Sequence, residues 1–218
     1  VGHPLLDEIG QERDSAEFRE YCGLRTDLPL LAIAPGSRPS EMRKHLPKML
    51  EALSKIEKKI GEFQCILPVA ESLDFEEVRR KASSSPVHVE VVPEQFLESV
   101  RASDAAVIAS GTASLQTGLA LKPFVIVYRV SPLTYMVARL LADTKYIGIV
   151  NVLADKEIVP ELLQNKFTVS SITDCTVRLL QDNEYRGTMI NELKKIGHQL
   201  GEPGAYRRAA KCIEDFIN

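Results

Sequence analysis

Nothing in this 218-residue chain approaches the ~18 consecutive apolar residues of a membrane-crossing helix. It opens Val1-Gly2-His3-Pro4-Leu5-Leu6-Asp7, with no charged stretch leading into an apolar one, so no signal peptide is expected. The missing initiator methionine reads as a piece of a longer chain. Cysteine is sparse: Cys22, Cys65, Cys175 and Cys212 stand far apart, with no C-x-x-C and no histidine at metal spacing. Neither a disulfide framework nor a zinc site is expected, and a reducing, cytoplasmic compartment fits. Surplus positive charge is lacking too. With 27 basic and 30 acidic residues the formal charge is −3, which argues against bulk binding to nucleic acid. His3, His45, His88 and His198 are scattered, no Ser-His-Asp or Cys-His order can be assigned, and no paired carboxylates stand out. Walker A and G-x-G-x-x-G patterns are both missing, which disfavours ATPase and dinucleotide readings.

What is present is an ordinary globular composition, 44% hydrophobic and 26% charged, enough for one well-buried domain with appended helices. Residues 1–29 hold Gly2, Pro4, Gly10, Gly23 and Pro29 around one helical pattern at Ser15–Cys22, and read as a connector. Apolar runs at Leu30–Ala34, Gln64–Val69, Val87–Val92, Ala105–Ala109, Phe124–Tyr128 and Tyr146–Val150 read as strands. Between them lie helical patterns: one capped by Ser40, one at Leu73–Ala82, one at Glu94–Arg101 and one starting near Ala113. Pro47 in the first of these predicts a kink or a later start. Leu133, Met136, Val137, Leu140 and Leu141 mark a further helical face, fit to pack on the sheet or to dock on a membrane or partner subunit. Beyond Asn151 the expectation is helices only, at Pro160–Asn165, Val169–Gln181, Glu184–Leu200 and Ala205–Ile217. The alternation implies an α/β, Rossmann-like parallel sheet of about six strands over 30–165, with C-terminal helices at 166–218 packing on it.

Two strand ends carry the chemistry. Ala105–Ala109 breaks at Ser110-Gly111-Thr112 into a helix start, where glycine allows close backbone approach, hydroxyls can donate and free helix N–H groups point outward. Leu30–Ala34 ends in Pro35-Gly36-Ser37-Arg38, which adds a fixed cation suited to phosphate. Each has a plain alternative: Pro-Gly-Ser is also an ordinary turn, and Ser or Thr before a helix is also a simple cap. Glu41 reads as a first-turn helix acid, Arg43, Lys44 and His45 as a solvated face, and Gln116 as facing either a ribose or water. On one parallel sheet both turns would open at the carboxyl ends of the strands and share one phosphorylated ligand.

The segments L-A-I-A-P-G-S-R-P-S-E at 31–41, S-D-A-A-V-I-A-S-G-T-A-S-L-Q at 103–116, Y-R-V-S-P-L-T-Y at 128–135 and N-V-L-A-D-K-E-I-V-P-E-L-L-Q at 151–164 resemble, in order and at matching intervals, the lipid-A-disaccharide synthase family. The opening V-G-H-P-L-L-D resembles that family's link between its halves. The resemblance implies the C-terminal, nucleotide-sugar-binding half of a GT-B glycosyltransferase, paired with an N-terminal domain that supplies the general base. It implies transfer of 2,3-diacylglucosamine from its UDP derivative to 2,3-diacylglucosamine 1-phosphate at the inner membrane surface, with no metal and no cofactor. The donor-binding set so implied is Gly36, Ser37, Arg38, Glu41, Ser110, Gly111, Thr112, Gln116, Asn151, Glu161 and Gln164, the last three on loops facing the cleft. Gln116 stands where the family usually carries a glutamate, and Val150 where a proline commonly precedes the asparagine, which would loosen that loop. A nucleotide or acyl-sugar-phosphate binding module and a UDP-sugar epimerase of the same fold are the competing readings. Self-association stays open.

Overall fold

The computed structural model describes residues 2–9, 14–131 and 145–217. The helical face expected at Leu133–Leu141 lies outside them. Two short helices, α1 (Leu5–Ile9) and α2 (Ser15–Tyr21), precede strand β1 (Leu30–Ala34). Then follow α3 (Pro39–Ile60), β2 (Gln64–Val69), α4 (Phe75–Ala82), β3 (Val89–Pro93), α5 (Phe96–Ala102), β4 (Ala105–Ala109), α6 (Thr112–Leu119) and β5 (Phe124–Tyr128). The chain continues with α7 (Ile149–Ala154), β6 (Glu161–Leu163), a 3₁₀ turn (Gln164–Lys166), α8 (Val169–Gln181), α9 (Asn183–Gln199) and α10 (Ala205–Ile217). The six strands form one parallel sheet in the order β3-β2-β1-β4-β5-β6.

The centre of the sheet follows from its residues. All five positions of β1 and of β4 are buried, so neither strand alternates, as expected of strands covered on both faces. Helix α3 covers one face through Met42, Leu46, Met49, Leu50, Leu53 and Ile56, spaced three and four apart. Helix α8 packs against α3, β4 and β5, and α9 against α6, α7 and α8. At the opposite end of the chain Arg19 ties α2 to the sheet. Its guanidinium donates to the Ala102 and Leu28 carbonyls at 2.8 and 3.1 Å and to Asp104 at 3.0 Å, while Asp104 also accepts the Leu30 N–H. Helix α10 meets α1 where the Asp7 carboxylate accepts the N–H groups of Gly204 and Tyr206.

Several expectations are corrected. Tyr146–Val150 is not a strand: Gly148 caps α7, and the strands do not stop at Asn151. The sixth strand is Glu161–Leu163, inside the stretch expected to be helical, and pairs with Ile126–Tyr128 of β5. Three residues are too few to show a period, so pairing with β5 decides their conformation. Val150 lies in α7, fully buried, and not in a loosened loop. Ser40 does not cap α3, which starts one residue earlier with Pro39, a residue whose fixed φ suits a first helical turn. Nor does α3 start beside Pro47; it runs through it.

Pro47 is exposed and contributes no N–H to the helix ladder, so α3 holds at that point through the buried stripe on either side of it. Pro47→Ala should therefore stabilise the chain by roughly 1–2 kcal/mol, the regained helix bond being offset in part by a more flexible unfolded chain. Urea unfolding checks this, and a lowered midpoint would contradict it.

Candidate functional site: two strand-end turns around one cavity

β1 and β4 are adjacent, with Ala34 opposite Ile108, so the turns that follow them leave the sheet side by side. This is where the strand order reverses direction, the place at which open α/β sheets take ligands. A cavity of about 560 Å³ opens there, lined by Gly36, Ser37, Arg38 and Glu41 on one side and Ser110, Gly111, Thr112 and Gln116 on the other. Pro68 and Ala70 from the end of β2, Glu94 after β3, and Phe96 and Leu97 at the start of α5 add to the wall. The two turns converge.

The first turn is built around Gly36, at φ 122°. A Cβ there would lie 2.3 Å from Glu41 Oε2 and 2.6 Å from its Cβ, so both conformation and space require glycine. Glu41 sits in the first turn of α3, where its carboxylate is 3.4 Å from the Arg38 N–H and from Arg38 Nη1. That is a loose contact, and the Arg38 side chain remains 75% exposed. The guanidinium can swing to an anion at small cost. Ser72 Oγ donates to the Ser37 carbonyl at 2.6 Å and fixes the turn from outside.

In the second turn Gly111, at φ 156°, occupies the N-cap position of α6. Ser110 N–H donates to the Val127 carbonyl of β5, and Ser114 Oγ turns back to the Gly111 carbonyl at 2.7 Å. Among the described residues the Ser110, Thr112 and Gln116 side chains make no hydrogen bond to protein. The N-termini of α3 and α6 therefore border the same space with the positive ends of their dipoles; at α3 Pro39 has no N–H and the Glu41 and Met42 N–H groups turn back to the Arg38 carbonyl, so the free donors are mainly those of α6.

His45 is the residue that reading from sequence misplaced. It is not on a solvated face but fully buried beneath the first turn. Its Nδ1 lies 2.7 Å from the Pro35 carbonyl, and its Nε2 accepts the Arg129 N–H at 3.0 Å. Burial holds its pKa below the ordinary histidine value, against the opposing pull of these hydrogen bonds and of Glu41. The spacing contained the signal: His45 falls between Met42 and Leu46 on the apolar stripe of α3.

Asn151, Glu161 and Gln164 do not line this cavity, and Asn151 and Glu161 lie in a helix and a strand and not on loops. Asn151 is in α7 and fully buried; its Nδ2 donates to the Val159 carbonyl and to Glu161 Oε1, and its Oδ1 accepts from Ile158 and Val159. Glu161, in β6, also accepts the N–H groups of Ile147 and Gly148, so a carboxylate from the sheet caps α7. Gln164 follows β6 at the same carboxyl edge as the cavity, two strands from β4.

The fold is that of a Rossmann-like half of the GT-B type, with the cavity at its strand exits. A family model described as lipid-A-disaccharide synthetase matches residues 1–216. The lipid-A-disaccharide synthase of Myxococcus xanthus is 38% identical over 217 residues, covering 100% of this chain and 57% of that protein. The chain belongs to the lipid-A-disaccharide synthase family, and spans about half the length of the curated relatives it matches. Among solved structures it is similar to WaaG, a glycosyltransferase involved in lipopolysaccharide biosynthesis, with a TM-score of 0.63 at 16% identity, over 97% of this chain and 54% of that one. It is also similar to a UDP-GlcNAc 2-epimerase from Neisseria meningitidis, with a TM-score of 0.57 at 15% identity, over 90% of this chain and 51% of that one. These two likenesses speak to the fold alone.

Asn151→Asp would set a second carboxylate about 2.9 Å from Glu161 and remove two donated hydrogen bonds. The expected cost is roughly 3 kcal/mol at pH 7.5. Because the crowded pair binds a proton more readily when folded than when unfolded, part of the loss should be recovered as pH falls towards 5. Urea unfolding at both pH values measures this; equal destabilisation at both would contradict the assigned contacts.

Proposed function

We propose that this chain is the donor-binding half of a glycosyltransferase that joins two acylated glucosamine units, and that its cavity holds the diphosphate of a UDP-linked 2,3-diacylglucosamine. The observation that carries the reading is the convergence of the Gly36 and Gly111 turns on one space bordered by two helix N-termini and Arg38. Family membership supports a nucleotide-sugar donor and a sugar acceptor, and the resemblance of the sequence motifs favours a UDP-sugar and 2,3-diacylglucosamine 1-phosphate in those roles.

Under this reading negative charge accumulates on the departing UDP as the glycosidic bond breaks. Arg38, the N–H groups at the start of α6 and the positive ends of both helix dipoles meet that charge most strongly when it is greatest, so they stabilise the transition state more than the bound donor. Glu41 keeps the Gly36 turn in shape and holds Arg38 loosely until an anion arrives. Thr112 and Ser110 donate to phosphate oxygens, and Gln116, half-buried beyond Thr112, faces the ribose. The general base for the acceptor hydroxyl belongs to the other half of the enzyme, and the complete reaction takes place at the cytoplasmic membrane surface. Among the described residues no helix is long and apolar enough to cross a membrane. Asn151 and Glu161 serve this site at a distance, by fixing the edge of the sheet next to β5.

A hundredfold excess of UDP over its Kd should raise the melting temperature of the chain by roughly 5–10 °C. Arg38→Ala should abolish most of that shift while leaving the ligand-free melting temperature unchanged, since the side chain is exposed. Equal stabilisation of the variant by UDP would remove Arg38 from the phosphate role, and no shift in either protein would remove the nucleotide.

A further inference from the structure

His45 touches two strand exits at once. Pro35 is the first residue after β1, and Arg129 the first after β5; between these strands lies β4, whose exit is the Ser110-Gly111-Thr112 turn. The exit of β4 is itself bonded to β5 through Ser110 N–H and the Val127 carbonyl. One imidazole thus spans the strands on either side of β4. We infer that His45, neutral and protonated on Nδ1, is a positioning residue that sets the spacing of the two phosphate turns, and that its protonation releases the β5 exit and weakens nucleotide binding.

The hydrogen-bond pattern fixes the tautomer. A carbonyl can only accept, so Nδ1 carries the proton towards Pro35; a backbone N–H can only donate, so Nε2 must offer a lone pair to Arg129. A second proton would set two N–H groups against each other at Arg129 and leave one buried donor without a partner. The ring cannot turn aside easily. Phe167 meets it edge-on at 5.4 Å and Tyr128 flanks it at 6.1 Å. Among the described residues, the charged and titratable groups around it are Glu41, Lys44 and Lys48 on its own helix, and Tyr128 and Arg129 from the β5 side. Lys48 is drawn off to the Phe167 carbonyl at 2.9 Å, and the Arg129 side chain is exposed. Burial lowers the pKa of His45, so the folded chain keeps it neutral where an unfolded chain takes up a proton. The sign follows: this contribution to stability is complete above about 6.5, the unfolded value, and is lost as pH falls below it towards the lower folded-state pKa.

This inference rests on the nucleotide reading only for its binding arm. The test uses the 218-residue chain, His45→Asn and His45→Gln. Asn can still reach Pro35 and Gln can reach Arg129, but neither titrates. Without ligand, nitrogen-resolved NMR should show the Nδ1–H tautomer, and the amides of Gly36, Ser110 and Arg129 should follow one titration with His45, absent in both variants. With UDP-N-acetylglucosamine, whose diester diphosphate keeps its charge over this range, wild-type affinity should fall by roughly 5- to 10-fold between pH 7.5 and 5. The variants should bind more weakly at pH 7.5 with a flat pH profile, and His45→Gln should recover more than His45→Asn. An Nε2–H tautomer, turn amides indifferent to the His45 titration, or variants with the wild-type pH slope would overturn the positioning role. No binding by the wild type at any pH, with the amide titration intact, would overturn the nucleotide reading and leave the coupling of the turns standing.

Discussion

Everything at this site depends on the lateral pairing of β1 with β4. Because Leu31 to Ala34 register with Ala105 to Ile108, two turns about seventy residues apart in sequence leave the sheet as neighbours. A parallel sheet places all its strand exits on one edge, and the reversal of strand order between these two opens a gap that no crossover helix fills. Two helix N-termini then face that gap as a consequence of the winding, and Arg38 adds a mobile positive charge. On the proposed reading, affinity for an anion arises here from topology first and from side chains second.

Buried polar groups maintain that geometry where the strands are short. Glu161 is a carboxylate on a three-residue edge strand, yet it accepts the N–H groups that begin α7 and the Asn151 amide, so the edge is closed by hydrogen bonds and not by length. His45 does the same between β1 and β5. Arg19 works at the other end of the strands, holding α2 to the entrances of β1 and β4 through Leu28, Ala102 and Asp104. Each of these groups is held by several protein partners, which fits a supporting role. The cavity side chains Ser110, Thr112 and Gln116 are the contrast: they point at the gap without protein partners.

β1, β2, β4 and β5 were legible at their observed bounds because strands buried on both faces are continuous apolar runs cut off by Pro, Gly or a charge. Both turns were legible for the same reason, as the breaks in those runs. What could not be read depends on contacts made across the fold. Tyr146–Val150 is as apolar as a strand, but a carboxylate thirteen residues on from Gly148 captures its N–H groups and starts a helix. Glu161–Leu163 looks helical beside Gln164, but the free edge of β5 takes it as a strand. His45 hid between charged neighbours, although its place on the stripe of Met42, Leu46 and Met49 marked it as buried. Asn151 and Glu161 were expected on loops facing the cleft because of family resemblance; the structure puts Asn151 in α7 and Glu161 in β6, bonded to each other.

The most direct measurement is NMR of the nitrogen-15-labelled chain titrated with UDP, following the amides of Gly36, Ser37 and Arg38 together with those of Gly111, Thr112 and Ala113. The account predicts that both sets shift along one binding curve with one Kd, because a single diphosphate touches both helix starts. Shifts confined to one turn, or two curves with different constants, would contradict a shared site.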